Sequence, residues 1–399
     1  MHLIKKQFYI FSLIVVILFS FVFPFQIKAQ ESVDLIEEQN SLLPVEESRI
    51  LKAKVLEATE KESDNIPIFN IENKNQELKV ILLEGEEKDR IVIFKNDFTR
   101  LHPGDIFYLN QTIRDGEEYF SMMEPYRLDI IYILLFIFIV LTVLIGGVQG
   151  LRGLISLALS FVLIIYALLP GILAGYSPVL ISIIVSSFII IIGSYITHGL
   201  NKTTTSAVLG MILTIILTGT LAYFSVQYGK FTGYDNEEAV FLNRNYGGEI
   251  DLVGILIGGI MIGLLGVLYD IAINQAIFVE ELHHIAPHVK RKNIFKRAMR
   301  MGREHIGALV DTLAIAYAGA SLPLLLLFAN SNNIELILNR EIFATEIVRI
   351  LIGSISLILA VPVTTFIATL LLMKKDENKA SEEELKKEEE SLKHYKHHH

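Results

Sequence analysis

Apolar residues follow two rhythms along this chain. From residue 128 they gather into seven long runs, at 128–147, 153–172, 178–197, 206–227, 251–274, 306–329 and 347–373. Each is near the ~20 residues that an α-helix needs to cross about 30 Å of hydrocarbon. Ahead of them the pattern alternates residue by residue, at Ile50 to Leu56, Leu78 to Leu83, Arg90 to Phe94, Asp105 to Leu109 and Tyr119 to Met122, with turn residues between. Alternation over such short segments predicts about five strands. Leu101-His102-Pro103-Gly104-Asp105 places Pro and Gly in a tight turn before a strand, as in small β-barrels. The expected fold is mostly α, a polytopic membrane helix bundle of about seven transmembrane helices, with a small N-terminal extracytoplasmic β-rich, barrel-like domain.

The N-terminus carries Lys5 and Lys6, an apolar run from Phe8 to Phe23, Pro24, and a cleavage position after Ala29. Residues 1–29 therefore read as a signal peptide or an uncleaved N-terminal anchor. Residues 30–48 have no periodicity and are expected to be a flexible lead-in to the β-rich domain at 49–125. The transmembrane bundle follows at 127–373, and a charged tail at 374–399 is expected in the cytoplasm.

A hydrophobic content of 52% and a mean hydropathy of +0.48 agree with a chain largely solvated by lipid. There is no cysteine, which excludes disulfides and thiolate chemistry. Residues 31–125 hold 22 Asp and Glu against 11 Lys and Arg, which gives no reason to expect nucleic acid. The basic residues fall in alternate loops: Arg152, Lys202, seven between Lys290 and Arg303, then Lys374 and Lys375. The other loops hold little beyond Lys230, Arg244 and Arg340. By the positive-inside rule this bias puts the N-terminal domain outside and the 278–305 loop in the cytoplasm of a multi-pass cell-membrane protein.

Ionisable side chains inside the runs are the first candidates for chemistry, because each costs roughly 2.5–3.5 kcal/mol on insertion scales. Asp270 lies near the inner end of the fifth run and Asp311 near the inner start of the sixth. Gly259, Gly263, Gly266, Asp270 and Asn274 share one helical face, as do Gly307, Asp311, Ala314, Ala318 and Ser321. Small-residue stripes let helices approach closely in lipid. The reading is that Gly259, Gly263, Gly266 and Gly307 serve helix packing, and that Asp270, Asn274, Asp311 and Arg303 form one polar intramembrane site. In the alternative reading the glycines only pack and each aspartate is satisfied locally.

In the connecting loop, Ile294, Phe295, Ala298 and Met299 oppose Lys292, Lys296, Arg297 and Arg300. This predicts a short amphipathic helix on the inner leaflet, its charges on anionic lipid. Glu280, Glu281, His283, His284 and His288 lack metal-site spacing, and the terminal histidines read as a solvated end, so no metal and no cofactor is expected. Pro323 and Pro362 are expected to kink the sixth and seventh helices. The expected partners are the bilayer and anionic inner-leaflet lipid, with a homo- or hetero-oligomer with another membrane protein as a possibility.

Three stretches resemble the YibE/F-like bacterial membrane proteins: Gly266-Val-Leu-Tyr-Asp-Ile-Ala-Ile273, Met301-Gly-Arg-Glu-His-Ile-Gly307 and Asp311-Thr-Leu-Ala-Ile-Ala-Tyr-Ala-Gly319. The likeness continues through Gly150 to Leu154 and Gly199 to Gly210. It implies a multi-pass membrane protein and carries no settled biochemical role. The family pattern often has Asn at the place of Asp311, which weakens a two-aspartate mechanism. Expected functions are a permease or export component moving an ion, proton or small solute, a non-catalytic scaffold or sensor whose outer domain binds a partner, or an intramembrane aspartyl protease. Tyr269-Asp270 resembles the first motif of presenilin-like proteases. However, Leu309 stands where their second motif has Gly, and their Pro-Ala-Leu motif is absent.

Overall fold

The computed structural model describes residues 47–60, 76–85, 87–114, 117–329 and 333–373. The expected signal segment, most of the lead-in and the tail lie outside the described residues. The chain divides into two compact units, one ending at Gly146 and the other beginning at Gly147.

Five antiparallel strands open the first unit: β1 Glu47–Glu60, β2 Gln76–Leu82, β3 Ile91–Asn96, β4 Ile106–Arg114 and β5 Glu117–Pro125. They are ordered β3-β2-β1-β4-β5. The sheet curls until edge strands β3 and β5 touch, with no hydrogen-bonded ladder between them among the described residues. Arg90 and Glu118 pair at 2.8 Å across that seam. Alternation along each strand sends Val55, Leu78, Val80, Leu82, Phe107 and Leu109 into a dry core. The register slips between Val55 and Glu57. This β-bulge returns Ala58 to the inward face after Leu56 turns out. Gly104, at φ 99°, makes the tight turn and donates its N–H to Val55 at 2.9 Å. Buried Gln76 closes one end of the curl, donating to the Leu101 carbonyl at 3.1 Å and accepting from the Leu101 N–H at 2.9 Å.

The helical part begins with α1, Leu128–Leu163, which runs through a π turn at Ile164–Leu168 into α2, Leu169–Leu173. The first two expected runs lie in one stretch of 46 residues, Leu128–Leu173, in which two helices are joined across a kink. Its helical geometry fails at one residue, Gly147, at φ 54° and ψ −137°. Then follow α3 Pro178–His198, α4 Lys202–Gly229, α5 Glu237–Asn245, α6 Leu252–Gly263, α7 Leu265–Ile285, α8 Arg291–Ala320, α9 Leu322–Phe328, α10 Ile334–Asn339 and α11 Glu341–Leu372. Asn201 starts α4 and Asp251 starts α6, each accepting an N–H three residues on, at 2.7 and 2.8 Å.

Four helical stretches are long and apolar enough to cross a membrane, and up to six if α6 with α7 and α8 with α9 each count as one span. The first pair bends by 40° at Leu264 and the second by 66° at Ser321. Pro323 stands just past the second bend, as expected, whereas Pro362 sits inside α11 without interrupting it.

The bundle is organised about α4 and α11. Ser206, Gly210, Thr214, Thr218 and Ala222 of α4 recur every four residues, as do Ser356, Ala360, Thr364 and Ala368 of α11. Apart from the glycine, which is also buried, none is more than 1% exposed. A Cβ on Gly210 would stand 2.4 Å from the Thr364 hydroxyl oxygen and 3.0 Å from its Cα, and Thr218 donates to Ser356 at 2.7 Å. Small residues on both faces allow this approach, and dispersion between closely spaced backbones holds it. Arg291 donates to the carbonyl of Met373, and Glu341 accepts the N–H groups of Thr232 and Gly233 at 2.7 and 2.8 Å. One end of the bundle therefore gathers the α3–α4 turn, the α7–α8 turn and the finish of α11. The opposite end gathers the α4–α6 segment and the start of α11.

Two sequence expectations are corrected here. The basic segment is no separate surface helix, since it forms the first half of α8. Its apolar stripe faces protein, with Ile294 and Ala298 wholly buried in the bundle core. The stripe of Gly259, Gly263, Gly266 and Gly307 is not a packing seam either. A Cβ at Gly259, Gly266 or Gly307 meets nothing within 4 Å, and only Gly263 is opposed, by the Tyr317 hydroxyl at 2.5 Å. The bend at Leu264 interrupts the face that an unbroken helix would have carried past Gly263.

Candidate functional site

At the α7–α8 end, a cavity of 110 Å³ lies between α7, α8 and α11. Asp270, Asn274, Gln275 and Phe278 enter it from α7, Gly302, His305 and Leu309 from α8, and Val361 from α11. The i, i+4, i+8 spacing of 270, 274 and 278 keeps one face of α7 along the cavity. Gln275, 2% exposed, ties the three helices together. Its amide donates to the Ala298 carbonyl at 2.9 Å and to the Thr365 hydroxyl at 2.7 Å. Gly302 makes this junction possible, because a Cβ there would lie 2.5 Å from Val361 and 2.8 Å from the Gln275 side-chain oxygen. The His305 ring stacks on Phe278 with centroids 5.8 Å apart and planes 16° apart, which fixes the imidazole at the rim.

Of the four residues expected to share a polar site, Asp270 and Asn274 line this cavity, and Asp311 and Arg303 do not. The reason is angular. Gly302, His305 and Leu309 mark the cavity face of α8, and Asp311, two residues past Leu309, lies about 200° further round the helix. Asp270, Asn274 and Asp311 are all exposed, so the two aspartates differ in whether they line the cavity and not in burial. Gln275, His305 and Gly302 take the places given to Asp311 and Arg303. The signal for them was present, since Gly302 and His305 belong to the Met301–Gly307 segment and Gln275 follows Asn274 directly. Among the described residues, Asp270 and Asp311 form no side-chain hydrogen bond or ion pair, and no group of three or more metal-binding side chains occurs.

The YibE/F-like protein family matches residues 134–374, more than half of the 399. The chain belongs to the YibE/F-like family. No curated protein matches it, and no solved structure does. The match starts within α1 and closes one residue past the last described one. The helical part of this YibE/F-like protein is thus the family's own, and the β domain lies before it.

A second polar cluster of the YibE/F-like bundle lies at the opposite end and was missed in the sequence. Arg349 sits two residues inside the seventh apolar run and pairs with Glu346 at 2.5 Å and Asp235 at 3.5 Å. Its guanidinium also lies over the Tyr317 ring at 5.9 Å. Burial pushes the Asp235 carboxyl above its ordinary value, and the nearby Arg349 offsets this only in part. The readable signal was the i, i+3 pair of Glu346 and Arg349 at the mouth of an apolar run.

Proposed function

We propose that this YibE/F-like protein is a seven-span permease or export component of the cell membrane, moving a proton, cation or small solute through the bundle at Asp270. One observation carries this reading: a carboxylate without a partner among the described residues, on an apolar helix, lines a cavity together with Asn274, Gln275 and His305. In lipid such a group would be costly, and in a cavity it can exchange a proton or hold a cation. The span count has its own support. The 46 residues of Leu128–Leu173 would extend about 69 Å as one helix, more than twice the ~30 Å of hydrocarbon. Broken at Gly147, they supply two spans. Seven spans would set the β domain on the side opposite the α7–α8 turn and the tail, and the Lys and Arg bias supports the turn and tail as the cytoplasmic side. Exposed Lys292, Lys296, Arg297 and Arg300 then meet anionic headgroups from the side of α8.

The test is flux in proteoliposomes of the full chain, with imposed proton and cation gradients. Wild type and Asp311→Asn are expected to conduct, and Asp270→Asn to lose at least tenfold with an unchanged unfolding temperature. Equal flux in wild type and Asp270→Asn overturns the reading. A protease would need two facing carboxylates, and only one of the pair lines the cavity. A scaffold or sensor role draws on a different observation: edge strand β3 exposes Ile91 and Ile93 by 52% and 59%. Loss of partner capture in Ile93→Asp, without loss of flux, would favour it.

A further inference from the structure

A larger cavity in the bundle is separate from the one at Asp270. It is a groove of 370 Å³ between the second part of α1, α3 and the α6–α7 bend, a size within the roughly 300–1,000 Å³ of small-molecule sites. Its deep half is hydrocarbon, from Phe161, Ile164, Ile189, Ile262 and Leu265. Gly153 and Gly266 line it as well, and since a Cβ on either meets nothing within 4 Å, these glycines keep space open rather than bring helices together. Beside the groove α1 passes into its π turn at Ile164, a distortion that gathers at functional sites.

The half nearer the α3–α4 turn is polar, with Ser156, Ser160, Thr197 and Tyr269. The Tyr269 hydroxyl donates to the Gly193 carbonyl at 3.4 Å, and its ring lies 5.8 Å from that of His198. Gln149 donates to the Thr197 carbonyl at 3.0 Å, bringing the start of this part of α1 against the end of α3. Arg152, exposed and one residue before Gly153, makes no ion pair among the described residues.

We propose that this groove holds one acyl chain of an anionic phospholipid, with the phosphate at Arg152. The groove lies between helices apolar enough to span a membrane, and its deep half offers water too few polar partners to stay. An acyl chain suits that half. At the other end hydroxyl groups meet the level of the lipid's esters, and an unpaired guanidinium near a helix end attracts an anionic headgroup. The inference rests on the membrane reading and is independent of Asp270.

Tryptophan is absent from the chain, so Phe161→Trp installs a single tryptophan in the groove, excited selectively over the tyrosines. Phe366→Trp, on α11 where Phe366 is 56% exposed, provides a control on the lipid-facing surface. Each full-length variant is reconstituted in phosphatidylcholine with brominated phosphatidylglycerol or brominated phosphatidylcholine at equal mole fraction. Quenching at Phe161→Trp is expected to be several-fold stronger with the anionic probe, and equal for both probes at Phe366→Trp. Adding Arg152→Gln should erase the preference, and adding Gly266→Phe should erase it by filling the groove. No preference at Phe161→Trp, the same preference at both positions, or a preference that survives Arg152→Gln overturns the proposal.

Discussion

Along α4 and α11, Gly210, Thr214, Thr218, Ser356, Ala360 and Thr364 are pressed between two helices. Along α6, α7 and α8, Gly259, Gly266 and Gly307 face open space. Both sets have helical spacing, and both look alike in one dimension. They differ in what stands opposite. The α4 set meets a second small-residue ladder running antiparallel, so that Gly210 opposes Thr364 and Thr218 opposes Ser356. The α6–α7 set is split by the bend at Leu264, and no complementary ladder faces it. A small residue in a membrane helix therefore has two uses: it lets a neighbour in, or it leaves room for something that is not protein.

Substitutions at the two kinds of glycine should separate these uses most sharply. Gly210→Leu must push Thr364 aside, and because the Thr364 backbone itself is close, the helices have to part. Overpacking costs about 1–3 kcal/mol, and more where backbone moves, so the detergent-solubilised protein should lose several degrees in unfolding temperature and much of its folded yield. Gly259→Leu should stay within about 0.5 kcal/mol of wild type, as surface changes do. Equal losses for the two would mean that the α6 face is covered in the membrane by a partner helix.

A middle-sized effect belongs to the polar junction. Gln275→Leu removes bonds to Ala298 and Thr365 at a buried site, for which the expected loss is about 1–3 kcal/mol. It should fall at the low end, because the Thr365 hydroxyl also donates to the Val361 carbonyl at 2.6 Å and keeps that partner. Thermal unfolding of the variant beside Gly210→Leu would rank the two. A Gln275→Leu loss as large as that of Gly210→Leu would make the junction, rather than the seam, the bundle's main tie.

The β domain was legible nearly strand for strand, since period-two alternation needs no partner to be read, and the tight turn at Gly104 is local chemistry. The apolar runs were legible too, for hydropathy alone marks them. What escaped was everything set by helix azimuth. Asp270 and Asp311 lie on similar stripes, yet one lines a cavity and the other does not, because the rotation of α8 is fixed by Ile294, Ala298 and Gly302 packing inward. The continuity of α8 also escaped. Its amphipathic half reads as an interfacial helix until α7 and α11 are seen to cover its apolar side. Arg349 went unread because it lies at the edge of a run rather than within it.

A smaller effect tests the seam from within. Thr218→Val keeps shape and removes the hydroxyl that reaches Ser356. Interhelical hydrogen bonds in membranes average roughly 0.6 kcal/mol, and Ser356 retains its bond to the Ile352 carbonyl at 2.7 Å. A shift in unfolding temperature of about a degree is expected. A loss approaching that of Gly210→Leu would show that hydrogen bonding, and not close packing, holds α4 to α11.

The last and smallest effect contrasts the two ends of the bundle through pH. Asp235 sits in the segment after α4, with Glu238 and Glu341 adding negative charge nearby and Arg349 as its cation. Arg349 is shared, lying closer to Glu346 than to Asp235, which is why burial outweighs it and the Asp235 carboxyl titrates above its ordinary 3.8. A folded-state value raised above the unfolded one means that the fold binds this proton more tightly. The contribution to stability is then fullest below pH 3.8 and declines as pH rises through the raised folded value. Asp235→Asn cannot titrate and removes that dependence. In paired unfolding curves between about pH 4 and 7, wild type should lose ground to Asp235→Asn as pH rises. Should wild type gain ground instead, the Arg349 pair outweighs burial. The cluster at this end would then be a stabilising ion-pair network, in contrast to Asp270 at the other, which has no ion pair among the described residues.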